Sequence, residues 1–173
     1  MVKKKALFFD RDGTIIKTNI FNKKPVAIKT LKSCRIFPSV HMILSALKKN
    51  YLIFLITNQP DVARKNNYKK NVIEINNYLK KKLSITQVYT CYCDNKNCKY
   101  KKPNIGMLNK ASKKYNLDLS KSYVIGDRWK DIDAGNKAGC ITIFLDKKYN
   151  ERINTKPDHK ITYFYELRKI FKV

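Results

Sequence analysis

No apolar run in this 173-residue chain approaches the roughly eighteen residues that a bilayer-crossing helix needs. The start, Met1-Val2-Lys3-Lys4-Lys5, leads straight into a short apolar run and then into acids. It lacks the longer apolar region and small-residue cleavage site of a secretory signal. These absences predict a soluble, cytoplasmic protein. An internal repeat and a low-complexity linker are also missing, so 1–173 reads as one domain with length for a proper core. Cysteine comes in an odd number, Cys34, Cys91, Cys93, Cys98 and Cys140, which argues against a disulfide framework. Acids are scarce: 13 Asp and Glu stand against 38 Lys and Arg, a net charge of +25. Such an excess invites a nucleic-acid reading. The bases, however, are mostly Lys, scattered along the chain, and Asn and Ile are abundant too. These three residue types share AT-rich codons, so we read the charge as compositional rather than as a dedicated nucleic-acid surface. It would still steer anionic substrates inward.

What is present is an alternation of apolar runs and helical patterns, the mark of an α/β domain with a mainly parallel sheet. Strands are expected at about Ala6 to Asp10, Tyr51 to Thr57, Gln87 to Cys91, Ser122 to Gly126 and Cys140 to Leu145. Helices are expected at Ser39 to Lys49, capped by Ser39, and at Tyr68 to Leu83, Asn104 to Tyr115, Asp131 to Ala138 and Tyr163 to Phe171. The segment holding Pro25 and Pro38 reads as a flap or loop. His41 and His159 have no evident partner, and Trp129 reads as a packing residue.

Polar residues gather just beyond the strands. Ala6-Leu7-Phe8-Phe9 delivers Asp10-Arg11-Asp12-Gly13-Thr14, two carboxylates one residue apart on a glycine turn. Acids that close repel unless a cation or a proton lies between them. The second run ends at Thr57-Asn58-Gln59, whose hydroxyl and amides suit phosphate oxygens. Lys102-Pro103 opens a helix, where a cation is opposed by the dipole unless an anion is near. Gly126-Asp127-Arg128-Trp129-Lys130-Asp131 adds a third acid and, one turn later, a fourth. In open parallel sheets, ligands bind at this strand edge.

In this order, Asp-Arg-Asp-Gly-Thr, Thr57, Lys102 and Gly-Asp-x-x-x-Asp resemble the haloacid dehalogenase phosphatase superfamily across nearly the whole chain. The resemblance implies a Rossmann-like three-layer sandwich with a mainly parallel five-stranded sheet. It implies Asp10 as nucleophile, Asp12 as general acid/base, and Thr57 and Lys102 as holders of the phosphoryl group. Magnesium would be held by Asp10, the backbone carbonyl of Asp12 and Asp127, with Asp131 in support. The intervals between motifs are too short for a cap domain.

Thr57 to Arg64, Lys101-Lys102-Pro103 and Gly126-Asp127-Arg128 look like the capless subgroup that holds D-glycero-D-manno-heptose 1,7-bisphosphate and histidinol-phosphate phosphatases. The implied substrate-binding residues are Asn58, Gln59, Arg64, Lys101 and Arg128. The implied substrate is a small phosphorylated sugar, first a heptose 1,7-bisphosphate cleaved at its 7-phosphate, acted on by a monomer. Lys101 replaces the subgroup's usual Arg, and Pro60-Asp61 replaces a usual Ser-Gly. The Cys-rich loop at 91–100 aligns Cys91, Cys93, Cys98 and Tyr100 with a zinc loop of the same subgroup. Three thiolates with Asp94, a water or Tyr100 could hold zinc there. Histidinol phosphate, a polynucleotide 3′-phosphate and a non-catalytic binding protein with a decayed site stand as alternative readings.

Overall fold

The computed structural model describes residues 2–22, 24–64, 68–151 and 155–173. In chain order come β1 (Ala6–Phe9), β2 (Asn19–Phe21), β3 (Lys24–Val26), α1 (Val40–Leu47), β4 (Leu52–Asn58), α2 (Asp61–Arg64) and α3 (Tyr68–Lys82). There follow β5 (Gln87–Cys91), α4 (Gly106–Tyr115), β6 (Tyr123–Gly126), α5 (Trp129–Lys137), β7 (Ile141–Leu145), β8 (His159–Ile161) and α6 (Leu167–Phe171). Among the described residues no helix is long and apolar enough to cross a membrane.

Six strands form one sheet in the order β5-β4-β1-β6-β7-β8, and every pairing is parallel. Strand alternation splits the core in two. Leu7, Phe9, Ile53, Leu55 and Ile125 face α1, α3 and α6, whose Leu44, Ile75, Leu79 and Leu167 complete one cluster. Ala6, Phe8, Phe54, Ile56 and Val124 face the other side, where Met107, Leu108 and Ala111 of α4 and Ala134 of α5 close the second. Phe54 packs between Phe8 (5.2 Å) and Tyr115 (5.0 Å) there. Full burial of each such side chain stabilises by about 1.5–3 kcal/mol. A strand stretch buried on both faces must be apolar, which is why β1 and the Leu52–Ile56 part of β4 read as unbroken runs.

Four details depart from expectation. The sheet has six strands, not five: β8 adds only His159, Lys160 and Ile161, of which Ile161 alone is buried, so it carries no apolar run. The expected flap contains an antiparallel hairpin, β2 with β3, whose first strand is wholly exposed. Ser39 precedes α1 but does not cap it. Its φ of +67° turns the hydroxyl away from the helix, and it donates to the Pro38 carbonyl. The C-terminal helix is also shorter than expected, a 3-10 turn at Phe164–Glu166 preceding α6.

From β1 the chain moves outward to β4 and β5, then crosses to β6, β7 and β8 on the other side. The order reverses next to β1, which opens a crevice at the C-terminal strand ends.

Candidate active site

Asp10 follows β1 directly, its N–H still donating to Ile125 O of β6 at 2.9 Å. The chain then turns back on itself, with Gly13 N–H donating to Ile16 O at 2.8 Å. Gly13 sits at φ +87°, and a β carbon there would lie 2.0 Å from Asp127 Oδ2. Only glycine lets the turn approach that carboxylate. Thr14, next in the turn, donates its hydroxyl to Asp127 Oδ1 at 2.8 Å.

Around this turn the structure gathers four of the expected groups. Lys102 Nζ lies 2.6 Å from Asp10 Oδ1, 2.6 Å from Asp131 Oδ1 and 2.7 Å from Ile56 O. Carboxylate oxygens of Asp10, Asp127 and Asp131 all come within 4.8 Å of one another. Asp131 also caps α5, accepting the Arg128 N–H at 3.1 Å, so it belongs to the cluster as well as to the helix start. Burial raises Asp10 to about 6. Lys102 pulls it down, while Asp131 and Asp12 push it up. Asp127 is raised well above the ordinary carboxylate range, by burial and then by Asp10 and Asp131, against the Thr14 hydrogen bond. Burial disfavours the Lys102 charge, but Asp10 and Asp131 outweigh it and its pKa rises. One buried cation therefore serves three buried acids. Asp127 Oδ2 is closed to water and has no hydrogen-bond donor within bonding geometry. Orphaned, all-oxygen and net negative, the cluster fits a hard divalent cation such as magnesium, which takes carboxylates and retains waters.

Asp12 stands apart from that cluster. Its Oδ2 accepts from Arg11 Nε at 2.9 Å and from Gln59 Nε2 at 2.8 Å. The same Gln59 nitrogen donates to Thr57 Oγ1 at 2.9 Å. Thr57 thus accepts from Gln59 and keeps its own proton for a ligand oxygen. Asn58 braces the main chain of Lys102 in both directions, Nδ2 to O and Oδ1 from N–H, each at 3.0 Å.

These groups line a cavity of about 120 Å³ whose walls include Asp10, Asp12, Thr57, Asn58, Lys101, Lys102, Arg128 and Asp131. Two expected substrate residues are not in that wall. Gln59 is buried behind it, holding Asp12 and Thr57. Arg64 is more than half exposed and turns to Asp94, with two hydrogen bonds of 2.7 Å. Its fork matches that planar carboxylate better than the distant cavity. Asp94 also holds Lys101 Nζ, 3.3 Å from Oδ1, and Arg128 is paired with Glu151, Nε to Oε2 at 3.0 Å. The sequence reading missed Thr18, Pro25 and Ala27 around the hairpin, together with Pro60 and Lys130, all in the cavity wall. It also missed Tyr149 beside Asp127. The adjacency of Lys130 to Arg128 was the one available sign; the hairpin gave none.

The cysteine loop brings its three sulfurs within 4.8 Å of one another. Cys93 and Cys98 are joined as a disulfide, and Cys91 Sγ lies 3.8 Å from Cys98 Sγ. A loop with only four residues between the two brings them together, a single local link and not the disulfide framework that the odd cysteine count argues against. In this state the loop does not offer zinc four donors. Two sulfurs are bonded to each other, and Asp94 is engaged by Arg64 and Lys101.

Residues 5–162 match the family model described as polynucleotide kinase 3 phosphatase. The chain is 35% identical over 150 residues to a D-glycero-alpha-D-manno-heptose-1,7-bisphosphate 7-phosphatase of Campylobacter jejuni, covering 83% of each chain. It is 34% identical over 162 residues to the enzyme of the same name from Photorhabdus laumondii, covering 84% of each. Among solved structures, the D,D-heptose 1.7-bisphosphate phosphatase of B. bronchiseptica, complexed with magnesium and phosphate, superposes with a TM-score of 0.79 at 18% identity, over 97% of this chain and 98% of that one. Fold, strand-end acids and relatives agree: this chain is a phosphatase of the haloacid dehalogenase type, and it belongs to the polynucleotide kinase 3 phosphatase family.

Proposed function

We propose that this chain is a magnesium-dependent D-glycero-D-manno-heptose 1,7-bisphosphate 7-phosphatase. The observation that carries the reading is the buried Asp10–Lys102–Asp131 pairing at the floor of a cavity with a basic rim, with the orphaned Asp127 oxygen just behind it. Asp10, Asp127 and the Asp12 main chain would hold magnesium, which supplies charge neutralisation at the phosphoryl oxygens. An Asp10 oxygen attacks phosphorus in line, forming an aspartyl-phosphate as the bond to the sugar oxygen breaks. Asp12 gives that oxygen its proton. A water then attacks the same phosphorus, gives its proton to Asp12, and releases phosphate and free Asp10. Lys102 and the Thr57 hydroxyl take the equatorial oxygens, where most of the catalytic stabilisation arises.

The cavity admits a phosphate and little more, so the sugar and its second phosphate lie in the open mouth. Lys101, Arg128 and Lys130 present positive charge there. Phosphate release with magnesium, compared across heptose 1,7-bisphosphate, histidinol phosphate and a 3′-phosphorylated oligonucleotide, tests the substrate. Heptose bisphosphate should lead in kcat/KM by about tenfold or more. Equal or better turnover of either competitor defeats the assignment.

Reduced, the three thiols of Cys91, Cys93 and Cys98 would offer zinc three donors, with a water as the fourth ligand. Protein purified with reductant and without chelator should then carry close to one zinc per chain. Less than about a tenth of an equivalent removes zinc from the reading.

A further inference from the structure

Among the described residues, Arg11 is the largest fully buried side chain. A guanidinium sealed from water is costly to keep unless it is paired and hydrogen-bonded, and an apolar residue of similar volume is often the more stable choice. Arg11 is not among the residues lining the cavity, so it has no access to substrate from where it stands. Its partners give it a different use. Nε donates to Asp12 Oδ2 at 2.9 Å, and Nη2 stands 2.9 Å from the same oxygen outside hydrogen-bond geometry. Nη1 donates to Asn76 Oδ1 at 2.9 Å, and Asn76 Nδ2 donates in turn to Thr90 Oγ1 at 3.0 Å. Asn76 is a buried amide in the middle of α3, where the helical pattern calls for an apolar residue. The chain Thr90–Asn76–Arg11–Asp12 thus runs from β5 through α3 to the floor of the site.

We infer that Arg11, anchored by Asn76 and Thr90, is a positioning residue that fixes the Asp12 carboxylate for proton transfer. The inference rests on the acid/base role proposed for Asp12. Arg11 and Gln59 crowd Oδ2 with donors, while Oδ1 has none. Oδ1 is itself closed to solvent, so Arg11 acts on the carboxylate as a whole, fixing the plane in which Asp12 presents the proton to be transferred. Misplacing such a group by about 1 Å costs about a hundredfold in rate.

The test is Arg11→Met, with Asn76→Leu as a second variant that keeps volume and removes only the outer anchor. Each is assayed on heptose 1,7-bisphosphate and on p-nitrophenyl phosphate, whose leaving group departs without a proton. On the aryl ester, the first, single-turnover release in Arg11→Met should stay within about threefold of the unmodified protein, while the steady rate falls about 10–100-fold. Acid-quenched samples should then hold phosphate on Asp10, because hydrolysis of the intermediate still needs Asp12 as base. On the sugar both steps need the proton, so the first turnover should slow as well. Asn76→Leu should show the same pattern more weakly. Equal losses on both steps with no trapped phosphate, or a steady rate within twofold of the unmodified protein, overturn the proposal. Asp12→Ala, run alongside, should show the same split more strongly. If it does not, the role given to Asp12 falls and this inference with it. The aryl-ester arm is independent of which sugar is the substrate.

Discussion

Asp10→Asn is expected to lower turnover by at least about 10⁴-fold while the chain stays folded. The amide cannot attack phosphorus, yet it has almost the shape of the carboxyl it replaces. Burial already raises Asp10 to about 6, so the uncharged form is no stranger to this position. Lys102 would keep Asp131 2.6 Å away as its remaining ion pair. Far-ultraviolet circular dichroism and thermal melting should therefore change little, and acid-quenched protein should contain no covalent phosphate. Turnover within a hundredfold of the original, or phosphate trapped on another residue, would remove Asp10 as nucleophile.

A second substitution should move stability and activity in opposite directions. Asp127→Asn should raise the melting temperature of the metal-free protein by about 2–8 °C, since relieving roughly 1–2 kcal/mol of buried repulsion shifts Tm by about 2–4 °C per kcal/mol at this chain length. The Asn oxygen can keep the Thr14 hydrogen bond, so only the charge is lost. Magnesium-dependent phosphatase activity should collapse in the same variant, together with the stabilisation that excess magnesium gives the unmodified protein, about 2.7 kcal/mol at a hundred times Kd.

The pH dependence has a definite sign. Acids whose folded pKa lies above the unfolded value contribute stability at low pH and lose it as pH rises through the folded pKa. For Asp10 that window runs from 3.8 to about 6, and Asp127 is raised as well. Asp146, lowered to about 2 by backbone and Lys148 contacts against the effect of burial, acts in the opposite direction at more acid pH. Metal-free protein should thus gain stability from this cluster on going from pH 7.5 to pH 5. Magnesium affinity should fall over the same interval, because the ion must displace those protons. A magnesium affinity independent of pH, or an Asp127→Asn protein that melts lower without metal, contradicts this account of the cluster.

The groups proposed to do the chemistry were legible because each sits where a periodic pattern stops. β1 is apolar to its end and β4 as far as Ile56, so Asp10 and Thr57 stand out, and Asp127 follows β6 directly. Groups that act behind the site were hidden. Arg11 carries no pattern of its own between the two acids, and only the fold reveals that it is sealed inside. Asn58 and Gln59 look like ligands for phosphate oxygens. Yet Asn58 is committed to a main chain 44 residues away and Gln59 to Asp12, 47 residues back. No local pattern encodes a partner at that distance. The same holds for the partner that Arg64 takes in this structure, since Asp94 lies 30 residues on, in the cysteine loop. The hairpin and β8 were missed because they bury too little to leave an apolar signature.

The crowding at Gly13 bears on how far this chain can change by mutation. The Asp127 oxygen occupies the space that any side chain at position 13 would need, so that position is closed to substitution whatever the substrate. Beside the cavity wall, the exposed Arg64 and Asp94 pair with each other, and exchanging them would disturb little of the core. Catalysis and selectivity thus rest on ground of very different mutational tolerance. New specificities can be explored at the rim while the chemistry beneath is held fixed by a missing β carbon.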